Sequence, residues 1–240
     1  STITKTQSAN FKFFRSIIFF CIFIILSKRR LYIYLIKYTD VVDNFLNREI
    51  IMKKSPEILD IIKNRRNTKI FEDREIDNSQ IEILLESAIW APNHRNTEPW
   101  RFYVVGKGSS LRNKISEGII SLQESSSGNK LTQDQKDKIY DQIYSSPPLI
   151  FVYSLLGEND EITEENYGAV CCAIQNIQLT ATEMGLGVGW STGKICKISN
   201  LDEILKLKDQ LKIVGVLSVG YPKSNSKKTR KDFKTITTWL

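Results

Sequence analysis

Three clusters of polar residues interrupt otherwise regular helix and strand patterns and could carry chemistry. The first cluster, at residues 65–69, contains Arg65, Arg66, Asn67 and Lys69. Two guanidinium groups can hold a phosphate through paired hydrogen bonds, and the amide and ammonium groups can reach nearby carbonyl or ring-nitrogen acceptors. The same residues also fit a solvated helix end, where positive charge favours the C-terminal dipole. This segment alone leaves both interpretations open.

The second cluster is the segment WAPNHRNTEPW at residues 90–100, between the end of a predicted helix and the start of a predicted strand. Loops held by rigid elements often carry binding groups, which makes Trp90 and His94 candidate site residues. An isolated histidine, by contrast, is more often an ordinary surface residue. His94 is the single histidine of the chain and no CxxC pattern is present. The sequence therefore offers no zinc ligand set and no Cys–His nucleophile.

The third cluster is GLGVGWSTGK at residues 185–194. Its glycines would let the backbone approach a flat ligand, and its N–H groups could donate hydrogen bonds to that ligand. A phosphate-binding GxxxxGK[ST] loop is absent, and a helix precedes the segment where a dinucleotide fingerprint would need a strand. Together the three clusters predict a planar, phosphate-bearing ligand such as flavin mononucleotide (FMN) or another nucleotide.

Helices and strands that mix without strict alternation must position these clusters. Ser55-Pro56 predicts a helix start, and Asp77 with Gln80 predicts a capping box for the next helix, which stops before Pro92. Periodicity predicts further helices over 109–124, 133–144, 165–184 and 201–208, and strands over 100–105, 149–156 and 213–219. This order indicates an α+β fold.

The net charge of +7 is concentrated at the N-terminal end of the chain. Residues 1–51 hold eight Lys and Arg against three Asp and Glu, whereas the remainder holds 26 against 24. A basic face for nucleic acid therefore has little support. The apolar run at residues 16–26 is shorter than the roughly 20 residues that span a bilayer. We expect residues 1–51 to be a leader or upstream extension outside a cytoplasmic domain, with secretory or membrane targeting by residues 16–38 as the alternative.

The motifs RRNTKIF, SAIWAPNHRNTEPWRFYVV, EMGLGVGWSTG and RKDFKTITTW occur in this order. In order and spacing they resemble the FMN-dependent nitroreductase family, and most of all its compact NAD(P)H nitroreductase branch. The resemblance covers about residues 56–239, so residues 52–240 are expected to form the FMN-binding domain. It implies a sandwich with a central, mostly antiparallel sheet flanked by helices, and an interlocked homodimer with FMN at the subunit interface.

The resemblance also implies roles for individual residues. Arg65, Arg66 and Asn67 would contact the phosphate and ribityl side of the flavin. Lys69 would lie near the pyrimidine edge, where a cation stabilises the anionic reduced flavin. The remaining matched positions are Trp90 and His94 from the other subunit, Trp190, Ser191 and Thr192 in the later cofactor segment, Arg230 at the phosphate, and Thr180 near the nicotinamide.

The implied reaction passes hydride from NADH or NADPH through the flavin to a small-molecule electrophile such as a nitroaromatic or a quinone, in a ping-pong cycle. The protein needs no catalytic acid–base pair because the flavin carries the chemistry. The alternatives are a non-catalytic flavin- or nucleotide-binding module and a sister flavin reaction such as reductive dehalogenation, for which residues 107–146 are the candidate lid. A further alternative is a membrane-anchored reductase, if residues 1–51 are an anchor.

Overall fold

The computed structural model of the 240-residue chain describes residues 57–224 and 228–240. The predicted leader, the targeting segment and the Ser55-Pro56 helix start lie outside the described residues. Within them the helices are α1 Glu57–Asn64, α2 Asn78–Ile89, α3 Leu111–Ser127, α4 Gln133–Ser145, α5 Asp160–Glu183 and α6 Leu201–Leu205. The strands are β1 Trp100–Val105, β2 Leu149–Leu155, β3 Gly187–Ser191 and β4 Leu211–Gly220.

The four strands form one sheet in the order β1-β2-β4-β3, and each neighbouring pair is antiparallel. Side chains alternate between the two faces of β2, as a strand requires. Ile150 and Val152 enter one apolar cluster, whereas Phe151 and Tyr153 enter the other. The predicted α+β sandwich with an antiparallel central sheet is therefore confirmed.

Helices cover both faces of the sheet. On one face α2 and α5 supply the buried residues Leu84, Ala173 and Ile177. On the other face, α3 and α4 supply Ile115 and Ile143, which belong to a core cluster that also includes residues of α6. The predicted lid segment, residues 107–146, thus contributes two helices to the packed core.

Several element boundaries differ from the sequence prediction, and the start of the long helix α5 is one of them. The long helix α5 begins at Asp160, five residues before the predicted start, because the Asn159 side chain accepts a 2.9 Å hydrogen bond from the Ile162 N–H and caps it. The glycine-rich segment, for which the sequence predicted no secondary structure, contains the edge strand β3. In the part of the chain that the structure describes, no helix is both long and apolar enough to cross a membrane.

Candidate functional site

The segment that follows α1 lies along the edge strand β3. The Thr68 N–H donates to the Val188 carbonyl at 3.0 Å, and the Trp190 N–H donates to Asn67 Oδ1 at 2.6 Å. A Cβ atom on Gly189 would lie 2.4 Å from the Thr68 carbonyl oxygen, far closer than normal contact. The glycines of β3 therefore admit the chain's own residues 67–69, which joins the first and third polar clusters.

Three arginines converge beside this segment. Arg65 is half-buried, and its Nη1 donates to Gln178 Oε1 on α5 at 3.3 Å. Burial and the nearby charges of Arg230 and Arg66 lower the pKa of Arg65 from its ordinary value. Across the described ranges 57–224 and 228–240, no carboxylate forms an ion pair with Arg65 or Arg230. The cluster is thus a concentration of positive charge that a phosphate would neutralise.

Gln178 was not among the residues predicted from the sequence. It is 4% exposed on the core-facing side of α5 and joins Arg65 across 113 positions of the chain. A buried glutamine usually marks a required hydrogen bond. The signal in the sequence that could have identified Gln178 was a polar residue at a core-facing position of a helix.

A cleft of about 930 Å³ opens next to the same segment. Lys69 and Ser191 both line it, as do Lys194 and the apolar side chains of Phe71 and Ile195. Polar and apolar side chains line this cleft in similar numbers, so it offers both ring contacts and hydrogen-bonding groups to a planar ligand. Two of the predicted cofactor residues therefore face a common space.

In the predicted cofactor segment at residues 190–192, the first side chain packs against the core and the next two are exposed. The Trp190 indole Nε1 donates to the Val214 carbonyl at 3.3 Å and packs against Gly215 and the core, so it is a structural side chain. Ser191 and Thr192 are exposed. Below them the half-buried Cys196 thiol reaches the Ser191 carbonyl at 3.4 Å, and burial raises the pKa of this thiol to about 11. Cys196 therefore stays a neutral thiol.

The loop after α2 is held in an unusual backbone conformation. Arg95, Asn96 and Glu98 have φ values of 55°, 57° and 43°, in the left-handed region that non-glycine residues rarely adopt. His94 Nδ1 lies 2.7 Å from Glu165 Oε1 on α5. Trp90 is 80% exposed at the end of α2. Such strain is frequent in segments that are held for function.

Neither Trp90 nor His94 lines the cleft of Lys69 and Ser191 in the same chain. Their described contacts and exposure leave both on an outer surface beside α5. Thr180 is half-buried on α5, and its carbonyl accepts the Met184 N–H at 3.0 Å, as part of the helix end. The single chain thus groups seven predicted residues near β3 and the Arg65 segment, whereas Trp90 and His94 lie outside this group. The seven are Arg65, Arg66, Asn67, Lys69, Trp190, Ser191 and Arg230.

Comparison with known proteins gives a consistent result. The profile described as "Nitroreductase family" matches residues 62–221. The Bacillus subtilis protein named "Putative NAD(P)H nitroreductase YfhC" is 30% identical over 163 residues, covering 68% of this chain and 83% of its own. A nitroreductase-like protein from Bacillus cereus shares the fold at a TM-score of 0.65 and 27% identity, over 78% of this chain and 98% of that one. A Bacteroides fragilis nitroreductase with bound FMN has a TM-score of 0.59 at 20% identity, over 78% and 100% of the two chains, which is a similarity of fold.

Proposed function

Because the chain belongs to the nitroreductase family, we propose that it is an FMN-dependent oxidoreductase that accepts hydride from NADH or NADPH and delivers it to small electrophiles such as nitroaromatics or quinones. The observation that carries the proposal is the arginine cluster of Arg65, Arg66 and Arg230. The first of these has its pKa lowered by burial and by the charge of the other two. An anionic phosphate would relieve this repulsion.

The residues around the cleft fit the rest of the same cofactor. Arg65 and Arg230 would hold the phosphate, and Asn67 fixes the segment against β3 through the Trp190 amide. Lys69 and Ser191 line a cleft that also holds apolar side chains such as Phe71 and Ile195, where the lysine would place a cation beside a ring system. Bound FMN supplies two-electron transfer between a nicotinamide and an acceptor. The relatives named as NAD(P)H nitroreductases and the FMN-bound structure of the same fold support this assignment.

We further propose that the working form is a homodimer. Helix α1 has no fully buried residue, and its apolar side chains Ile58 and Ile62 are 53% and 43% exposed. Trp90 and the tail residue Trp239 are 80% and 89% exposed. Exposed apolar side chains in these numbers suit a protein interface. The α2 loop does not line the cleft of its own chain, and in a dimer it would reach the cleft of the second chain.

Titration of the apoprotein with FMN, followed by flavin fluorescence, tests the cofactor assignment. Riboflavin, which lacks the phosphate, is the matched ligand control. We expect FMN to bind with one equivalent per chain and riboflavin to bind at least about tenfold more weakly, since charge-assisted hydrogen bonds to the phosphate would be missing. A chain that binds neither ligand, or binds both equally, would refute the proposed phosphate site.

A further inference from the structure

The contact between His94 and Glu165 is specific and reaches across the fold. Glu165 Oε1 lies 2.7 Å from His94 Nδ1, and the two residues are 71 positions apart. The histidine side chain is 58% exposed and the glutamate side chain 31% exposed. The pair therefore joins the α2 loop to the first turns of α5 while one edge of the imidazole stays accessible.

A second contact beside the first fixes the backbone that carries His94. Thr97 Oγ1 donates to Asn166 Oδ1 at 2.9 Å, and Asn166 Nδ2 donates to the Leu155 carbonyl at the end of β2, at 3.2 Å. Asn166 is 4% exposed, so this anchor is part of the core. Adjacent residues of α5 thus hold the loop at two points, one through the Thr97 hydroxyl and one through the imidazole ring of His94.

The chemistry of the pair determines which ring nitrogen is left for a ligand. An ionised carboxylate can only accept a hydrogen bond, so Nδ1 must carry the shared proton. Nε2 then accepts a hydrogen bond when the ring is neutral and donates one when the ring is protonated. In both states Nε2 is the ring nitrogen available for a ligand.

We propose that Glu165 is a positioning residue that fixes the ring orientation and the Nδ1–H tautomer of His94, and so presents Nε2 to the cofactor bound by a second copy of the chain. The inference rests on the proposed FMN-dependent function and on the homodimer. It assigns to Glu165 a role that acts through His94 alone. Carboxylates that orient a functional imidazole in this way are a recurring device in metal and catalytic sites.

The tautomer can be measured directly because His94 is the single histidine of the chain. Imidazole nitrogen-15 shifts of the full-length protein, recorded at a pH where the ring is neutral, report which nitrogen carries the proton. We expect the Nδ1–H form in the wild type, its loss in Glu165→Ala, and its partial retention in Glu165→Gln, whose amide oxygen still accepts. The control is Glu164→Gln, on the exposed neighbouring residue of α5, which should leave the signals unchanged.

The consequence for the ligand is tested by a double-mutant cycle on FMN affinity. Glu165→Ala and His94→Ala should each weaken FMN binding by roughly tenfold, the scale of one hydrogen bond to a charged group. The double variant should lose no more than either single one, because Glu165 acts through His94. If Glu165→Ala fails to fold, Glu165→Gln carries the cycle, with a smaller loss expected.

An unchanged tautomer in Glu165→Ala, or additive losses in the cycle, would overturn the inference. A wild-type chain that binds no FMN would refute the proposed function and the ligand half of this inference. The tautomer measurement does not depend on FMN, so it would still decide whether Glu165 positions His94.

Discussion

At the residue scale, Arg65 is the residue on which the phosphate assignment depends most. It is half-buried and donates to Gln178, and its pKa is lowered first by burial and then by the charges of Arg230 and Arg66. Placing the charges of Arg65 and Arg230 near each other, with no carboxylate ion pair to either among the described residues, costs stability unless an anion is bound. The arrangement is therefore more consistent with a binding site than with the solvated helix end that the sequence also allowed.

We predict that Arg65→Ala weakens FMN binding by about 10- to 100-fold, the range for one charge-assisted hydrogen bond of about 1.5–3 kcal/mol. The control is Arg101→Ala, because Arg101 forms an exposed ion pair with Asp209 at 3.4 Å and lies outside the cluster. Fluorescence titration measures both affinities. Equal affinities for the two variants would show that Arg65 does not contact the phosphate.

Several residues of the candidate site could be selected from the sequence because they share a local motif. Arg65, Asn67 and Lys69 follow one another within a few positions. Asn67 bonds to β3, Lys69 lines the cleft, and Arg65 donates to Gln178 on α5. Gln178 and Glu165 were not predictable, since their partners lie 113 and 71 positions away and leave no local pattern. Their roles arise only when α5 packs beside both segments.

At the element scale, β3 is the part of the fold that the sequence pattern described least well. Its glycines suggested a close approach of the backbone to a flat ligand, and in the structure they let Thr68 lie against the strand at a distance that a Cβ would prevent. Glycine in a strand often marks such a close approach of backbone. Composition alone could not distinguish an approaching ligand from an approaching segment of the same chain. Both ends of β1, by contrast, were predicted correctly, because its six residues are apolar or aromatic apart from Arg101.

We predict that Gly189→Ala displaces residues 67–69 from β3 and weakens FMN binding more than tenfold, because the new Cβ would lie 2.4 Å from the Thr68 carbonyl oxygen. Gly168→Ala is the matched control, since nothing lies within 4 Å of its Cβ position on α5. This control should raise the free energy of unfolding by about 0.5–1 kcal/mol through helix propensity. FMN titration and chemical denaturation of both variants decide the point, and unaltered FMN affinity in Gly189→Ala would contradict the packing described.

The connection between α3 and α4 provides a prediction about acid stability. Glu124 accepts hydrogen bonds from Lys130 Nζ at 2.9 Å and from the Leu131 N–H at 3.0 Å. These contacts lower the pKa of Glu124 from 4.5 to about 2. A lowered pKa in the folded state adds stability that is present above pH 4.5 and is lost as the pH falls towards 2.

We therefore expect Glu124→Gln to be less stable than the wild type at neutral pH, and the difference to shrink between pH 4.5 and 2. Glu117→Gln, on the exposed part of the same helix, is the control and should not reproduce this pattern. Urea denaturation over a pH series provides the measurement. A difference that is constant over that range would show that the contacts of Glu124 do not shift its titration.

At the scale of the whole molecule, the exposed apolar residues matter most. On helix α1 the apolar side chains of Ile58 and Ile62 are exposed, and Trp90 with the end of the tail adds to the exposed apolar surface. The loop that carries His94 also lies apart from the cleft of Lys69. A homodimer accounts for both observations, since a second chain can cover the apolar residues and contribute its α2 loop.

We predict that Ile62→Glu shifts the protein from dimer to monomer in sedimentation equilibrium and lowers FMN affinity in parallel, because a buried charge at an interface is costly. Ile62→Val keeps the apolar surface and should remain a dimer. A wild-type protein that is monomeric at all concentrations would remove the basis for a site shared between two chains.

The central claim is tested most directly by anaerobic visible spectroscopy of the flavin-loaded full-length chain. NADH or NADPH is added first, and a nitroaromatic or a quinone is added afterwards. The account predicts that the absorbance of oxidised flavin is bleached by at least one nicotinamide and recovers when the electron acceptor is added. Bound flavin that stays oxidised with both nicotinamides would contradict the oxidoreductase assignment and would favour the non-catalytic flavin-binding module.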